Sequence, residues 1–101
     1  MRQALKPYIG LVSKEPDSAY GITFPDAPGC FSAADDLDNV FAMASEALEG
    51  WTLTMKEEDL PIPPCRDLSA LRADPALADV WASTVLVIAV PAPEQHKARA
   101  A

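Results

Sequence analysis

Two cysteines and a single histidine are the residues whose chemistry could make this sequence an enzyme or a zinc protein. Cys30 and Cys65 lie far apart and form no CxxC motif, whereas structural zinc sites draw four ligands from short spacings. A nucleophilic Cys30 would need a base within hydrogen-bond reach. The only histidine, His96, lies in a C-terminal segment without apolar periodicity, so nothing is expected to hold it near Cys30. The pattern favours two reduced, buried thiols, with no catalytic residue, metal or cofactor.

Length and charge restrict the class of protein. The chain has 101 residues and a formal net charge of −7, which predicts one acidic domain with a single core. Because the backbone of a nucleic acid repels an acidic surface, direct nucleic-acid binding by this chain is not expected, and a basic protein is the natural complement. The same charge could serve solubility alone, and composition does not decide between these two interpretations.

No segment of the sequence predicts a membrane span or a secretion signal. The longest apolar run, from Val85 to Val90, has the length of a strand and falls far short of the ~20 residues of a spanning helix. The N-terminal residues are polar and interrupted by Pro7, without the apolar core of a signal peptide. The sequence therefore predicts a cytoplasmic protein that does not enter the membrane.

The distribution of apolar residues predicts four strands. The segment from Tyr8 to Val12 is apolar on both faces, which is typical of a central strand. The segment from Ala19 to Phe24 alternates large with small residues, and a short strand from Cys30 to Ala33 follows. Between them, Pro28-Gly29 fits the two central positions of a type II turn. These patterns predict a three-stranded antiparallel meander, and Thr84 to Val90 is predicted as a fourth strand, apolar on both faces.

A long amphipathic helix is predicted after the third strand. Asp35, Asp36 and Asp38 suit its first turn, because carboxylates cap free amides and lie at the positive end of the helix dipole. Apolar residues then recur at spacings of three and four: Leu37, Val40, Phe41, Ala44, Ala47, Leu48, Trp51 and Met55. We expect this face to pack on the sheet, which gives an α+β fold.

The remainder of the chain is predicted to be mostly irregular. Pro61, Pro63 and Pro64 force an extended connection, and the segment from Asp67 to Trp81 predicts only short helical turns. After Pro91 no apolar pattern continues. We therefore predict one partner-binding domain over residues 1–91 and a flexible C-terminal tail over residues 92–101.

The segment YGITFPDAPGCFS, residues 20–32, resembles the signature of the HicB-like antitoxins, a strand, a Pro-Gly turn and a second strand. Four other segments are similar to the family in kind and order: YIGLV at residues 8–12, the helix start Asp36-Leu37-Asp38, Glu46-Ala47-Leu48, and LPIPP at residues 60–64. The resemblance covers residues 5–90. It implies a reduced ribonuclease H-like domain with a meander, one long helix and a fourth strand.

The resemblance also implies a function. HicB-like antitoxins belong to type II toxin–antitoxin pairs and neutralise HicA, a small basic ribonuclease that cleaves mRNA and has a double-stranded-RNA-binding fold. The implied partner is a basic HicA-like toxin protein, in agreement with the acidic charge. Many family members add a C-terminal helix-turn-helix or ribbon-helix-helix domain that binds operator DNA. Too few residues follow Pro91 for such a domain, so repression is not expected of this chain.

The ribonuclease H-like resemblance raises the alternative of a metal-dependent nuclease. Such enzymes use clustered carboxylates to hold two metal ions about 3.5–4 Å apart, and the first strand should supply one carboxylate. The segment from Tyr8 to Val12 has no acidic residue, and the aspartates before the helix are better explained as helix-start residues. We therefore predict that the protein is not an enzyme. A solitary HicB-like domain that binds another protein or a small ligand is the other alternative.

The candidate partner-binding residues flank the third predicted strand. They combine a fixed turn, an aromatic ring and carboxylates: Pro25, Asp26, Pro28, Gly29, Phe31, Asp35, Asp36 and Asp38. Aromatic side chains suit anchors of an interface, and carboxylates suit Lys or Arg of a basic toxin. Phe31 fits an anchor and a core position equally, whereas Phe24 is predicted to be buried with Tyr20 and Ile22. Uncovered strand edges predict a homodimer or a larger homo-oligomer.

Overall fold

The computed structural model describes residues 6–93. Its strands are β1 (Tyr8–Lys14), β2 (Tyr20–Thr23), β3 (Phe31–Ala34) and β4 (Thr84–Val90), and its α-helices are α1 (Val40–Glu57), α2 (Leu68–Ala73) and α3 (Ala78–Ser83). Short 3-10 turns, Leu37–Asn39 and Pro75–Leu77, precede α1 and α3. The α+β fold predicted from the sequence is confirmed. Most of the predicted tail, residues 94–101, lies outside the described residues.

The strands form one antiparallel sheet in the order β3-β2-β1-β4. Strand β1 lies in the middle, with Val12 opposite Ile22 of β2 and Tyr8 opposite Val90 of β4. The predicted meander and the central position of the first strand are confirmed. The fourth strand returns from the far end of the chain to pair with the first, so β3 and β4 are the two edges of the sheet.

One face of the sheet packs against α1. The side chains buried between them include Val12 and Ile22 from the sheet and Ala44 and Leu48 from the helix, all at most 1% exposed. Phe24, 2% exposed, follows β2 into this core as predicted. Gly10 gives the ring room, because a Cβ at that position would lie 3.2 Å from Phe24 Cε1. The side chains of β1 and β2 that point toward α1 therefore form the sheet's side of the core.

The opposite face is covered by the short helices. Leu11 points away from Val12 because side chains alternate along a strand, and it is still 1% exposed. Helix α3 contacts β1, and Trp81 of α3 donates from Nε1 to the carbonyl of Leu71 in α2 at 3.0 Å. Leu71 is fully buried. Burial on both faces explains why β1 is apolar on both faces from Tyr8 to Val12.

One part of the predicted core is wrong. Leu37 and Phe41 are about half exposed, because the first turn is a 3-10 turn and the buried positions of α1 then follow at intervals of four from Val40. Strand β4 is apolar on both faces but is not fully buried: Val85 is 60% exposed. Its position at the edge gives it a single neighbouring strand, which leaves one side uncovered.

The two cysteines have the surroundings of structural thiols. Both are free, Cys30 buried and Cys65 partly buried. Burial raises the pKa of Cys30 to about 11 and also raises the pKa of Cys65. Both side chains therefore carry their proton at neutral pH, and the thiolate that a nucleophile requires is not favoured.

Candidate partner-binding surface

The turn after β2 is fixed by hydrogen bonds at both of its bends. The amide of Ala27 donates to the carbonyl of Phe24 at 3.0 Å, and the amide of Cys30 donates to the carbonyl of Ala27 at 2.9 Å. Gly29 has φ of 88°, the left-handed conformation that the second central position of a type II turn requires. The predicted type II turn at Pro28-Gly29 is therefore present, and both of these residues are exposed.

Helix α1 also contacts this turn, through Trp51. Trp51 donates from Nε1 to the carbonyl of Pro28 at 2.9 Å, and its ring meets Tyr8 edge-on with centroids 6.1 Å apart. A partly buried indole that uses its N–H in this way fixes the backbone it contacts. The turn is consequently a rigid feature of the surface.

Asp26 lies beneath the turn and makes its contacts within the chain. Its carboxylate, 10% exposed, accepts from the Arg66 amide at 2.7 Å and from Arg66 Nε at 2.8 Å. Arg66 Nη1 also donates to Asp74 at 2.9 Å. The hydrogen bonds that Arg66 donates to Asp74 and Asp26 raise the pKa of Arg66, and Arg66 lowers the pKa of Asp74. Asp26 therefore joins the turn to the segment that carries α2.

The contribution of the Asp74–Arg66 ion pair to stability depends on pH. Because the pKa of Asp74 is lower in the folded chain than in the unfolded chain, the pair stabilises the fold at neutral pH. This contribution is lost as the pH falls through the folded pKa of Asp74.

Replacement of Asp26 by alanine should lower the midpoint of thermal unfolding by about 5 °C, because it leaves the half-buried Arg66 without its shortest partner. The matched control is Asp67→Ala, which removes the exposed ion pair with Lys6 and should shift the midpoint by no more than about 1 °C. Circular dichroism during heating measures both. Equal shifts in the two variants would contradict a structural role specific to Asp26.

Carboxylates lie at the other end of β3. Asp36 is the cap of the helix start: its Oδ1 accepts from the Asn39 amide at 3.2 Å and from Asn39 Nδ2 at 2.9 Å. Asp35 and Asp38 are exposed. The predicted capping role is thus performed by Asp36, and its two neighbours present charge to solvent beside it.

Phe31 lies between the turn and these carboxylates. It is the first residue of β3 and is 67% exposed. Ser32 donates to the carbonyl of Met43 in α1, so Ser32 faces the helix and Phe31 faces the opposite side of the sheet. An aromatic ring exposed to this extent has no core role in the described part of the chain. The core interpretation of Phe31 is therefore wrong, and its role as an anchor stays a prediction.

Six of the eight predicted site residues share one edge of the sheet, which we call the β3 strip: Pro28, Gly29, Phe31, Asp35, Asp36 and Asp38. Pro25 is half-buried and Asp26 is buried below the strip. Sequence reasoning did not include Arg66 and Asp74, which hold Asp26. It also did not include Leu37, an exposed apolar side chain between Asp36 and Asp38.

Two further observations concern metal binding and membrane insertion. Within residues 6–93, no group of three or more His, Cys, Asp or Glu side chains is arranged to hold a metal ion. In the same part of the chain, no helix has the length and apolar character required to cross a bilayer. The structure is thus a small α+β domain with a fixed turn, an exposed aromatic ring and adjacent carboxylates along one edge of its sheet.

Comparison with known proteins identifies the family. The family described as HicB-like antitoxin of bacterial toxin–antitoxin systems matches residues 8–100. The chain therefore belongs to the HicB-like antitoxin family, and the resemblance found in the sequence is confirmed. A comparison with curated proteins gave no match.

Solved structures of similar proteins agree with this assignment. A chain of the HicA3 and HicB3 toxin–antitoxin complex is 25% identical with a TM-score of 0.65, and the match covers 82% of this chain and 93% of that one. The Burkholderia pseudomallei antitoxin HicB is 26% identical with a TM-score of 0.69, over 85% of this chain and 62% of that one. Its N-terminal domain alone is 26% identical with a TM-score of 0.63, over 82% and 93%.

Proposed function

We propose that this protein neutralises a HicA-like ribonuclease by binding it directly, and that it has no enzymatic activity of its own. The observation that carries the proposal is membership of the HicB-like antitoxin family over residues 8–100, together with a similar chain from a HicA3–HicB3 complex. The acidic charge of −7 supports a basic toxin as the partner and argues against direct contact with nucleic acid. We also propose that the protein acts in the cytoplasm.

The β3 strip is the surface that we assign to the toxin. Phe31 offers about two thirds of its surface to a partner, and the rigid turn beside it limits the ordering cost of binding. Asp35 and Asp38 place negative charge at the other end of the strip, where it can form ion pairs with Lys or Arg of a basic protein. Asp26 contributes indirectly, since Arg66 holds it below the turn.

The proposal predicts that a HicA-like protein is encoded next to this chain, and that protein is used to test it. The two proteins are co-expressed with a tag on the toxin, and toxin-dependent arrest of growth is recorded with and without the antitoxin. Co-purification at low and moderate salt, relief of the arrest and inhibition of RNA cleavage in vitro are expected. Failure to bind at low salt, where electrostatic attraction is strongest, would refute direct neutralisation.

The same preparations discriminate between the alternatives. Incubation of the chain alone with RNA and Mg²⁺ or Mn²⁺ tests the nuclease alternative, and no cleavage is expected. A solitary domain without a toxin partner would leave the growth arrest unchanged and would not co-purify with the toxin.

Phe31→Ala should weaken toxin binding about tenfold, because truncation of an exposed aromatic anchor removes apolar contact area at the centre of the strip. The chain should keep its stability, since Phe31 is 67% exposed and has little contact with the core. The matched control is Leu53→Ala, an exposed apolar residue of α1, which should leave the dissociation constant unchanged. Isothermal titration calorimetry with the purified toxin measures both variants, and equal affinities for Phe31→Ala and the unmodified chain would remove Phe31 from the interface.

A further inference from the structure

Strand β4 forms the edge of the sheet opposite to the β3 strip. Its inner side pairs with β1 from Tyr8↔Val90 to Ser13↔Thr84, and no strand among residues 6–93 pairs with its outer side. Val85 is 60% exposed and Leu86 is 37% exposed. A long, apolar, unprotected edge of this kind is the arrangement that promotes pairing with another chain, and monomeric proteins usually place lysine, proline or a short strand there.

We propose that β4 pairs antiparallel with β4 of a second copy of this chain, so that the two sheets join into one across a two-fold axis. This inference gives a specific interface to the homo-oligomer predicted from the sequence, and it does not depend on binding of the toxin. Antiparallel pairing is self-complementary, since each strand offers its partner the same row of amides and carbonyls.

The charge distribution favours a second copy of this chain as the partner of the β4 edge. The segment from Val80 to Pro93 contains no charged residue, although the chain as a whole carries a net charge of −7. Two identical acidic proteins repel each other over most of their surfaces, and the β4 edge is where they can meet without opposing carboxylates. The β3 edge differs: it is four residues long, and Asp35, Asp36 and Asp38 follow it directly.

The pairing fixes which side chains face each other. If all seven residues of β4 pair, Val87 lies opposite its own counterpart at the two-fold axis. Leu86 then lies opposite Ile88 of the second copy on the α1 side of the sheet, and Val85 lies opposite Ala89 on the other side. Alternate residues point their backbone groups outward, so about six hydrogen bonds join the two strands.

The contact area extends beyond the strand. A groove of about 420 Å³ at the end of β4 is lined by Phe41, Glu46 and Glu49 of α1 and by Pro91 and Pro93, and Phe41 is 49% exposed. A stable dimer buries about 800 Å² on each partner, which is more than one strand supplies. The residues of the second copy that approach this end are those at the start of its own β4, and they carry no charge, so no carboxylate of that strand opposes the two glutamates.

Analytical ultracentrifugation of the complete chain tests the inference. The unmodified protein should be a dimer at micromolar concentration. Val85→Lys/Ala89→Lys should weaken the dimer at least about 100-fold, since lysines would lie opposite one another across the new strand pair. The control Leu53→Lys/Leu68→Lys adds the same charge at two exposed apolar residues on helices and should remain dimeric. Monomeric unmodified protein, an unaffected Val85→Lys/Ala89→Lys dimer, or equal weakening in the control would overturn the inference.

A cross-link gives a readout that does not depend on the stability of the lysine variant. Val87→Cys should form a disulfide-linked dimer under mild oxidation, because Cβ atoms opposite each other in an antiparallel pair are about 5 Å apart. Ala33→Cys, at the exposed β3 edge, and the unmodified chain with its two free cysteines should not. Equal cross-linking in all three would also overturn the inference. Phe31→Ala should dimerise normally, so loss of toxin binding and loss of the dimer remain distinguishable.

Discussion

Phe24→Ala is expected to reduce the free energy of unfolding by about 3–5 kcal/mol, the usual cost of truncating a buried phenylalanine. Phe24 is 2% exposed and belongs to the main core cluster. Its ring fills the space beside Gly10, where a Cβ would approach it to 3.2 Å, so the truncation leaves a cavity between the sheet and α1. Since a domain of this size has a total stability of about 5–15 kcal/mol, the variant should unfold at much lower urea concentrations.

The matched control is Phe31→Ala, which makes the same chemical change at a ring that is 67% exposed and lies away from the proposed β4 contact. This variant should lose less than about 1 kcal/mol. Urea unfolding followed by circular dichroism, with the slope of the transition checked for constancy, compares the two. Similar losses at the two positions would mean that Phe24 is not at the centre of the core.

The elements that could be predicted from sequence are those governed by local rules. The type II turn follows from Pro28-Gly29, because proline fixes the first central φ and glycine accepts the positive φ of the second. Asp36 caps the helix start through a contact three residues away. The alternation of Tyr20, Ile22 and Phe24 decides which face is buried. Each of these features depends on neighbours within a few residues, so the local sequence pattern is sufficient to predict it.

The features that were missed depend on contacts between distant parts of the chain. Asp26 meets Arg66 across forty positions, and no local pattern predicts which of the acidic residues will bind that guanidinium. Strand β4 is as apolar as β1, but only the order of strands in the sheet determines that β4 lies at an edge. Phe41 was predicted to lie on the buried face of the helix. It is half exposed instead, because the 3-10 geometry of the preceding turn shifts the phase of α1.

Reversal of charge at Asp35 and Asp38 is the prediction with the largest expected effect on the proposed interface. Asp35→Lys/Asp38→Lys should weaken binding to the basic toxin about 100-fold, since attraction becomes repulsion between charges of the same sign at close range. Asp36 is left unchanged because its carboxylate caps the helix start, and its loss would confuse binding with stability. The dissociation constant and the association rate are measured by surface plasmon resonance over a series of salt concentrations.

The control must separate a local effect of the β3 strip from a general loss of acidity. Glu57→Lys/Glu58→Lys changes the formal net charge by the same four units, from −7 to −3, but at the far end of α1, where lysines also favour the negative end of the helix dipole. If the β3 strip contacts the toxin, the control should retain most of its affinity, and the difference between the two variants should shrink as salt rises. Equal weakening would mean that only total charge attracts the toxin, and the interface would have to be sought elsewhere on the surface.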